Sequence, residues 1–138
     1  MKKYIDEVIK MANKAKKQKE VPVGALIIFN NKIIAKAYNL KNKTQIATKH
    51  AEIIAIEKAN RKIKSWRLNE CVMIVTLEPC MMCAGAILES RIKKIYCLSK
   101  RKNECSIEWL RKNGVEVEFV ENNIKSLMLL RSFFEKKR

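Results

Sequence analysis

The sequence predicts an α/β fold: one mixed sheet with helices on both faces. Three observations carry that reading. Segments with apolar residues at helical spacing alternate with short strand-like runs along the whole chain. The pair Asn30-Asn31 lies between two such runs as a hairpin turn. Residues 71–77 are a nearly continuous apolar run, as expected of a strand covered on both faces.

Taken in order, residues 2–18 place Ile5, Val8, Ile9, Ala12 and Ala15 on one helical face, with Lys10, Lys14 and Lys17 on the other. Val21-Pro22-Val23-Gly24 ends that helix and opens a strand at 25–29. After the Asn30-Asn31 turn a second strand spans 32–38. The stretch 39–47 has no hydrophobic pattern and reads as a polar loop that forms a substrate wall. Thr48 is placed to cap a helix over 49–62, with Ala51, Ile54, Ala55 and Ala59 on its apolar side. Trp66 and Leu68 fall in a connector before the third strand. Pro79 starts a helix that runs to about residue 90, followed by a fourth strand at 92–98 and a short helix at 106–112. Asn113-Gly114 stops that helix. Residues 115–120 alternate as a half-exposed edge strand should, and a last helix over 122–136 buries Ile124, Leu127, Met128, Leu130 and Phe134.

No repeat or boundary divides the 138 residues, so 1–138 reads as a single domain with its own core. Hydrophobic residues make up 48% of the chain, which argues against disorder. No apolar run approaches the roughly 18 residues of a membrane span. The first residues turn amphipathic at once and lack a signal-peptide core, so a cytoplasmic location is expected. Five cysteines, an odd number that includes a Cys-x-x-Cys, fit reduced thiols and a metal better than a disulfide framework. The formal charge of +16 suits a polyanionic partner. A bias toward Lys, Ile and Asn from gene base composition would produce the same excess.

Cys80 and Cys83 stand three apart at a helix start, on one face, where the helix dipole favours thiolate. His50, the one histidine of the chain, opens another helix. One imidazole and two thiolates would hold one zinc ion and leave its fourth position open for water, the arrangement of a catalytic site. Glu52, two residues after His50, does not share the ligand's face and would carry protons beside that water. A purely structural zinc clip would need a fourth ligand. Cys71, Cys97 and Cys105 are the candidates; Cys71 and Cys97 look like buried small hydrophobes, and Cys105 lies in a basic loop. His50-x-Glu52, then 26 intervening residues, then Pro79-Cys80-x-x-Cys83, matches the known signature of zinc nucleobase deaminases.

With these residues in place the chain resembles the cytidine-deaminase-like superfamily and, within it, the bacterial tRNA-specific adenosine deaminases. The similarity runs over nearly the whole chain: Glu20 to Ala25, Tyr38-Asn39, His50 to Ile53, Thr76 to Ala86, Ser90 to Ile92 and Ser132 to Phe134. The resemblance implies a three-layer α/β/α fold with a five-stranded mixed sheet of order 2-1-3-4-5, and a homodimer with sites near the interface. It implies one zinc per chain on His50, Cys80 and Cys83, with Glu52 as the proton shuttle. It implies hydrolysis of the wobble adenosine of a tRNA anticodon to inosine, with release of ammonia. Asn39 matches a position that contacts the flipped base, and Phe133 and Phe134 match a terminal helix bordering the anticodon stem-loop. The chain departs from the family pattern after the fourth strand. A glycine-rich segment is replaced there by the shorter Ser99-Lys100-Arg101-Lys102-Asn103-Glu104-Cys105-Ser106, and the last helix stops early. Both departures touch the substrate side and leave the metal residues alone. Two alternatives stay open: a deaminase of a free base or nucleoside such as guanine or cytosine, and a catalytically silent zinc-containing RNA-binding protein.

Overall fold

The computed structural model describes residues 1–101 and 105–120. The helix expected over 122–136, with Phe133 and Phe134, lies outside the described residues.

Helix α1 (Lys2–Lys17) leads into strands β1 (Gly24–Phe29) and β2 (Lys32–Tyr38). A one-turn helix α2 (Lys41–Thr44) precedes α3 (Ala51–Ile63). Strand β3 (Val72–Val75), α4 (Met81–Glu89), β4 (Lys94–Cys97), α5 (Ser106–Lys112) and β5 (Glu116–Phe119) follow in alternation. The five strands form one sheet in the order β2-β1-β3-β4-β5. β1 pairs antiparallel with both β2 and β3, while β3–β4 and β4–β5 are parallel. The sheet is therefore mixed and its order is 2-1-3-4-5, as the resemblance implied.

The strand period of two distributes the core between the faces. Leu26, Ile28 and Ile74 pack with Val8, Ile9 and Met11 of α1. Ala25, Ile27, Met73 and Val75 point the other way, to Ala55, Ala59, Ala84, Ile87, Ile107 and Leu110 of α3, α4 and α5. The result is three layers, with α1 the one described helix on its face. Among the described residues no helix is long and apolar enough to cross a membrane.

The hairpin turn forms as the sequence predicts: Asn30 and Asn31 both take positive φ, 51° and 61°. That pair of left-handed residues gives the turn the twist of its strands. Gly24 is needed for a different reason. A Cβ there would lie 2.5 Å from the Val8 carbonyl oxygen and 2.7 Å from Met11 Cβ, so the close crossing of α1 over β1 requires glycine.

Two local expectations are corrected. Thr48 does not cap α3; the cap position is His50, two residues later, in extended conformation and with no side-chain cap bond. The stretch 39–47 is not all loop, because it holds α2. The Glu20 carboxylate accepts the Asn42 N–H at 2.9 Å and the Lys43 N–H at 2.6 Å. An acceptor more than twenty residues away thus caps this turn, and a local apolar pattern cannot reveal it.

Candidate metal centre and active site

The parallel strand β3 ends at Val75, and the buried residues Thr76, Leu77, Glu78 and Pro79 carry the chain to α4. Cys80 is the cap residue of α4, extended and without a side-chain cap bond, as His50 is for α3. Neither side chain bonds the free N–H groups of its own helix. Both turn instead toward one point at which the positive ends of two helix dipoles arrive.

The sequence-predicted ligands meet there. The ligand atoms of His50, Cys80 and Cys83 all lie within 4.8 Å of one another. His50 Nδ1 is 3.7 Å from Cys80 Sγ and 3.6 Å from Cys83 Sγ. A tetrahedral zinc bonded at about 2.3 Å to sulfur and about 2.0 Å to nitrogen separates those atoms by about 3.6 Å. The donor spacing therefore fits zinc, and two thiolates with one imidazole suit that metal in kind. Cys71 and Cys97 are buried, Cys105 is exposed, and none of the three belongs to the group.

The protons of the trio are coupled. A hydrogen bond from the Cys83 thiol, with another from His50, draws Cys80 down to about 3. The same bond to Cys80, together with burial, pushes Cys83 far up. Contact with Cys80 also raises His50. Free of metal, the pair therefore keeps one thiol proton, and a metal ion must displace it to gain its second sulfur.

Glu52 lies in the first turn of α3 and is 3% exposed. Burial raises the pKa of its carboxyl. Glu52 is not one of the three grouped ligands. It lines, with His50, a cavity of about 220 Å³ whose walls also include Val21, Val23, Leu77, Asn39, Lys41 and Arg101. Drug-sized ligands occupy about 300–1,000 Å³, so this cavity suits a single heterocycle. Asn39 is 6% exposed, and its Oδ1 has no hydrogen-bond partner among the described residues. A buried amide oxygen without a partner in a pocket wall is an acceptor kept for a ligand. Phe133 and Phe134 lie outside the described residues.

Sequence reasoning missed Arg101 and Glu20. Arg101 was visible only as part of a basic loop. The backbone N–H of Arg101 donates to Glu78 Oε1 at 3.3 Å, and its Nε donates to the Glu78 carbonyl at 2.9 Å. Those bonds bring the side chain to the cavity. Glu20 acts at one remove, by holding the turn that follows Asn39.

A five-stranded 2-1-3-4-5 sheet, with a His/Cys/Cys group at two helix starts behind a base-sized cavity, defines the cytidine-deaminase-like class. Within it, a family model for MafB19-like deaminases matches residues 1–138, and the chain belongs to that family. The tRNA-specific adenosine deaminase of Bacillus subtilis (strain 168) is 46% identical over 92 residues, covering 67% of this chain. The chain spans 57% of that relative's length. The tRNA-specific adenosine deaminase of Buchnera aphidicola subsp. Schizaphis graminum is 38% identical over 137 residues, covering 94% of this chain and 91% of its own. A structure solved in work on A-to-I editing by tRNA:A34 deaminases superposes with a TM-score of 0.88 at 27% identity, covering 94% of this chain and all of that one.

Proposed function

We propose that residues 1–138 form one zinc-dependent deaminase domain that converts the wobble adenosine of a tRNA anticodon to inosine, releasing ammonia. The observation that carries this reading is the juxtaposition of the His50, Cys80 and Cys83 ligand atoms with the buried Glu52 carboxylate at one cavity. The relatives that share the fold at 38–46% identity act on tRNA adenosine by name, and the net charge of +16 suits an RNA polyanion.

His50, Cys80 and Cys83 would hold one zinc ion per chain. When bound, zinc supplies Lewis acidity that makes water a competent nucleophile near neutral pH. The chain's own residues do the rest. Glu52 takes a proton from the attacking water and passes it to N1 of the adenine ring; it then takes the remaining proton of the new C6 hydroxyl and gives it to the 6-amino group, which leaves as ammonia as the C6 carbonyl forms. The balance is adenosine and water in, inosine and ammonia out. Burial favours this relay, because a carboxyl raised by desolvation holds a proton more readily than an exposed one while it passes that proton on. The Asn39 Oδ1 accepts a hydrogen bond from the entering base or its ribose, and the apolar Val21, Val23 and Leu77 walls flank the ring.

The protein acts as a homodimer in the cytoplasm, where its substrate resides. Met81 and Met82, 40% and 39% exposed beside the ligand Cys80, offer apolar surface to a second copy. The zinc-loaded protein should produce inosine in an anticodon stem-loop of sequence A-C-G. An untouched stem-loop with ammonia released from free guanine, cytosine or a nucleoside would replace this reading with that of a small-molecule deaminase. Zinc binding and RNA binding without turnover on any of these would leave a silent RNA-binding protein.

A further inference from the structure

Two cations stand in the cavity wall beside the proposed shuttle, and the deamination chemistry uses neither. Lys41 and Arg101 both line the cavity that holds His50 and Glu52. Arg101 is half-buried and Lys41 exposed, and a neutral base or nucleoside gives the half-buried guanidinium nothing to pair with. Arg101 acts electrostatically on Glu52 without forming an ion pair with it among the described residues. The acidic member of the cavity wall is Glu52 itself. No ion pair joins Lys41 or Arg101 to an acidic side chain among the described residues.

Arg101 is, moreover, held in position. Its Nε is committed to the Glu78 carbonyl and its backbone N–H to the Glu78 carboxylate. Glu78 is itself buried, and the Ser106 hydroxyl, which donates to the Pro79 carbonyl at 2.6 Å, stands 3.3 Å from its carboxylate. With Nε anchored, the two terminal nitrogens of the guanidinium remain as a pre-oriented pair. A pair of parallel N–H donors on a fixed plane matches two oxygens of a phosphate. Lys41 begins the turn that Glu20 caps, so its backbone is anchored too, while its ammonium adds a mobile point charge.

We propose that Arg101, assisted by Lys41, binds a phosphate attached to the nucleotide whose base enters beside Glu52, so that the cavity selects a phosphorylated nucleotide unit over a free base or nucleoside. The inference rests on the deaminase reading and names the substrate feature that reading leaves open. The phosphate has two sources, a phosphodiester of a polynucleotide or the single phosphate of a mononucleotide.

The test compares zinc-loaded wild type, Arg101→Ala, Arg101→Lys and Lys41→Ala on the A-C-G stem-loop, on AMP and on adenosine. Arg101→Ala should raise KM for the stem-loop about tenfold with kcat within about twofold, and reduce the slope of log(kcat/KM) against log salt by about 1. Arg101→Lys should restore the salt slope but only part of the affinity. Lys41→Ala, which breaks no ion pair among the described residues, should lower the slope in the same direction. A KM loss confined to the stem-loop assigns the clamp to a phosphodiester; an equal loss on AMP assigns it to the nucleotide's own phosphate; either supports the clamp. Unchanged KM and salt slope in both Arg101→Ala and Lys41→Ala overturn it. Stem-loop and AMP affinities measured in parallel with Glu52→Ala as background separate the two claims. No turnover by wild type with an intact Arg101-dependent salt slope removes the deaminase reading alone. Binding independent of Arg101 and Lys41, or no binding of either probe, removes the clamp.

Discussion

His50 Nδ1 lies 3.6 Å from Cys83 Sγ, though 33 residues separate them in the chain. The two are brought together because α3 and α4 start close to one another, one with His50 and the other with Cys80 as its cap residue. Neither residue type is a preferred cap, and neither bonds the free N–H groups of its helix. That departure from local preference marks the site: a cap bond worth about 1 kcal/mol at each helix is forgone so that the side chains can converge.

Glu52→Ala should lower turnover by at least the 10²–10⁴-fold typical of a lost general acid–base, while zinc stays near one per chain. Parallel kinetics and elemental analysis check this. Near wild-type activity would remove Glu52 from the proton relay.

Cys80→Ser and Cys83→Ser should each lose zinc and activity together, whereas Cys105→Ser should keep both. Cys105 is exposed and outside the ligand group. Chelator-treated wild type should recover activity on zinc addition, releasing protons as it binds, because Cys80 and burial push the Cys83 thiol far up in the metal-free pair. Isothermal titration in buffers of differing ionisation enthalpy counts those protons.

Glu20→Ala should leave zinc content unchanged and raise KM. Glu20 is fully buried and touches none of the ligands, but it accepts two N–H groups of α2, next to Asn39 and Lys41. Losing a buried charged acceptor leaves those N–H groups without their partner, at about 1–3 kcal/mol. Faster hydrogen exchange in α2, with α3 unaffected, is the expected signature.

Gly24→Ala should destabilise the fold by about 1–3 kcal/mol, the usual range for overpacking. The added methyl meets backbone of α1 rather than a flexible side-chain tip. Denaturant titration reads the loss, and a change below a few tenths of a kcal/mol would mean that α1 shifts freely on β1.

The Lys36 ammonium, 3.0 Å from Glu7, holds the Glu7 carboxyl below its ordinary value. A folded-state pKa below the unfolded one contributes stability that is present above the unfolded carboxylate pKa, near 4.3, and lost as pH falls through the folded value. Glu7→Gln should therefore flatten the stability profile below about pH 5 and leave stability changed only slightly in high salt, since both side chains are partly exposed.

The sheet and its helices were legible because their signals are local: Asn30-Asn31 for the hairpin, the 71–77 apolar run for β3, the alternation at 115–120 for β5. His50, Glu52, Cys80 and Cys83 were legible because their spacing repeats a known chemical pattern. What stayed hidden depends on long-range bonds. α2 exists through Glu20, and Arg101 reaches the cavity through Glu78; neither acceptor is near in sequence. Thr48 misled because its residue type is a good cap, whereas the structure gives the cap position to a residue with another task. Asn39 was singled out by resemblance alone, and its unsatisfied buried oxygen supplies the physical reason afterwards.

X-ray absorption at the zinc edge of the loaded protein tests the central claim most directly. The account predicts two sulfur neighbours and one imidazole nitrogen, with a fourth, oxygen neighbour that changes when a base analogue fills the cavity. A third sulfur, or a fourth neighbour indifferent to such a ligand, would contradict it.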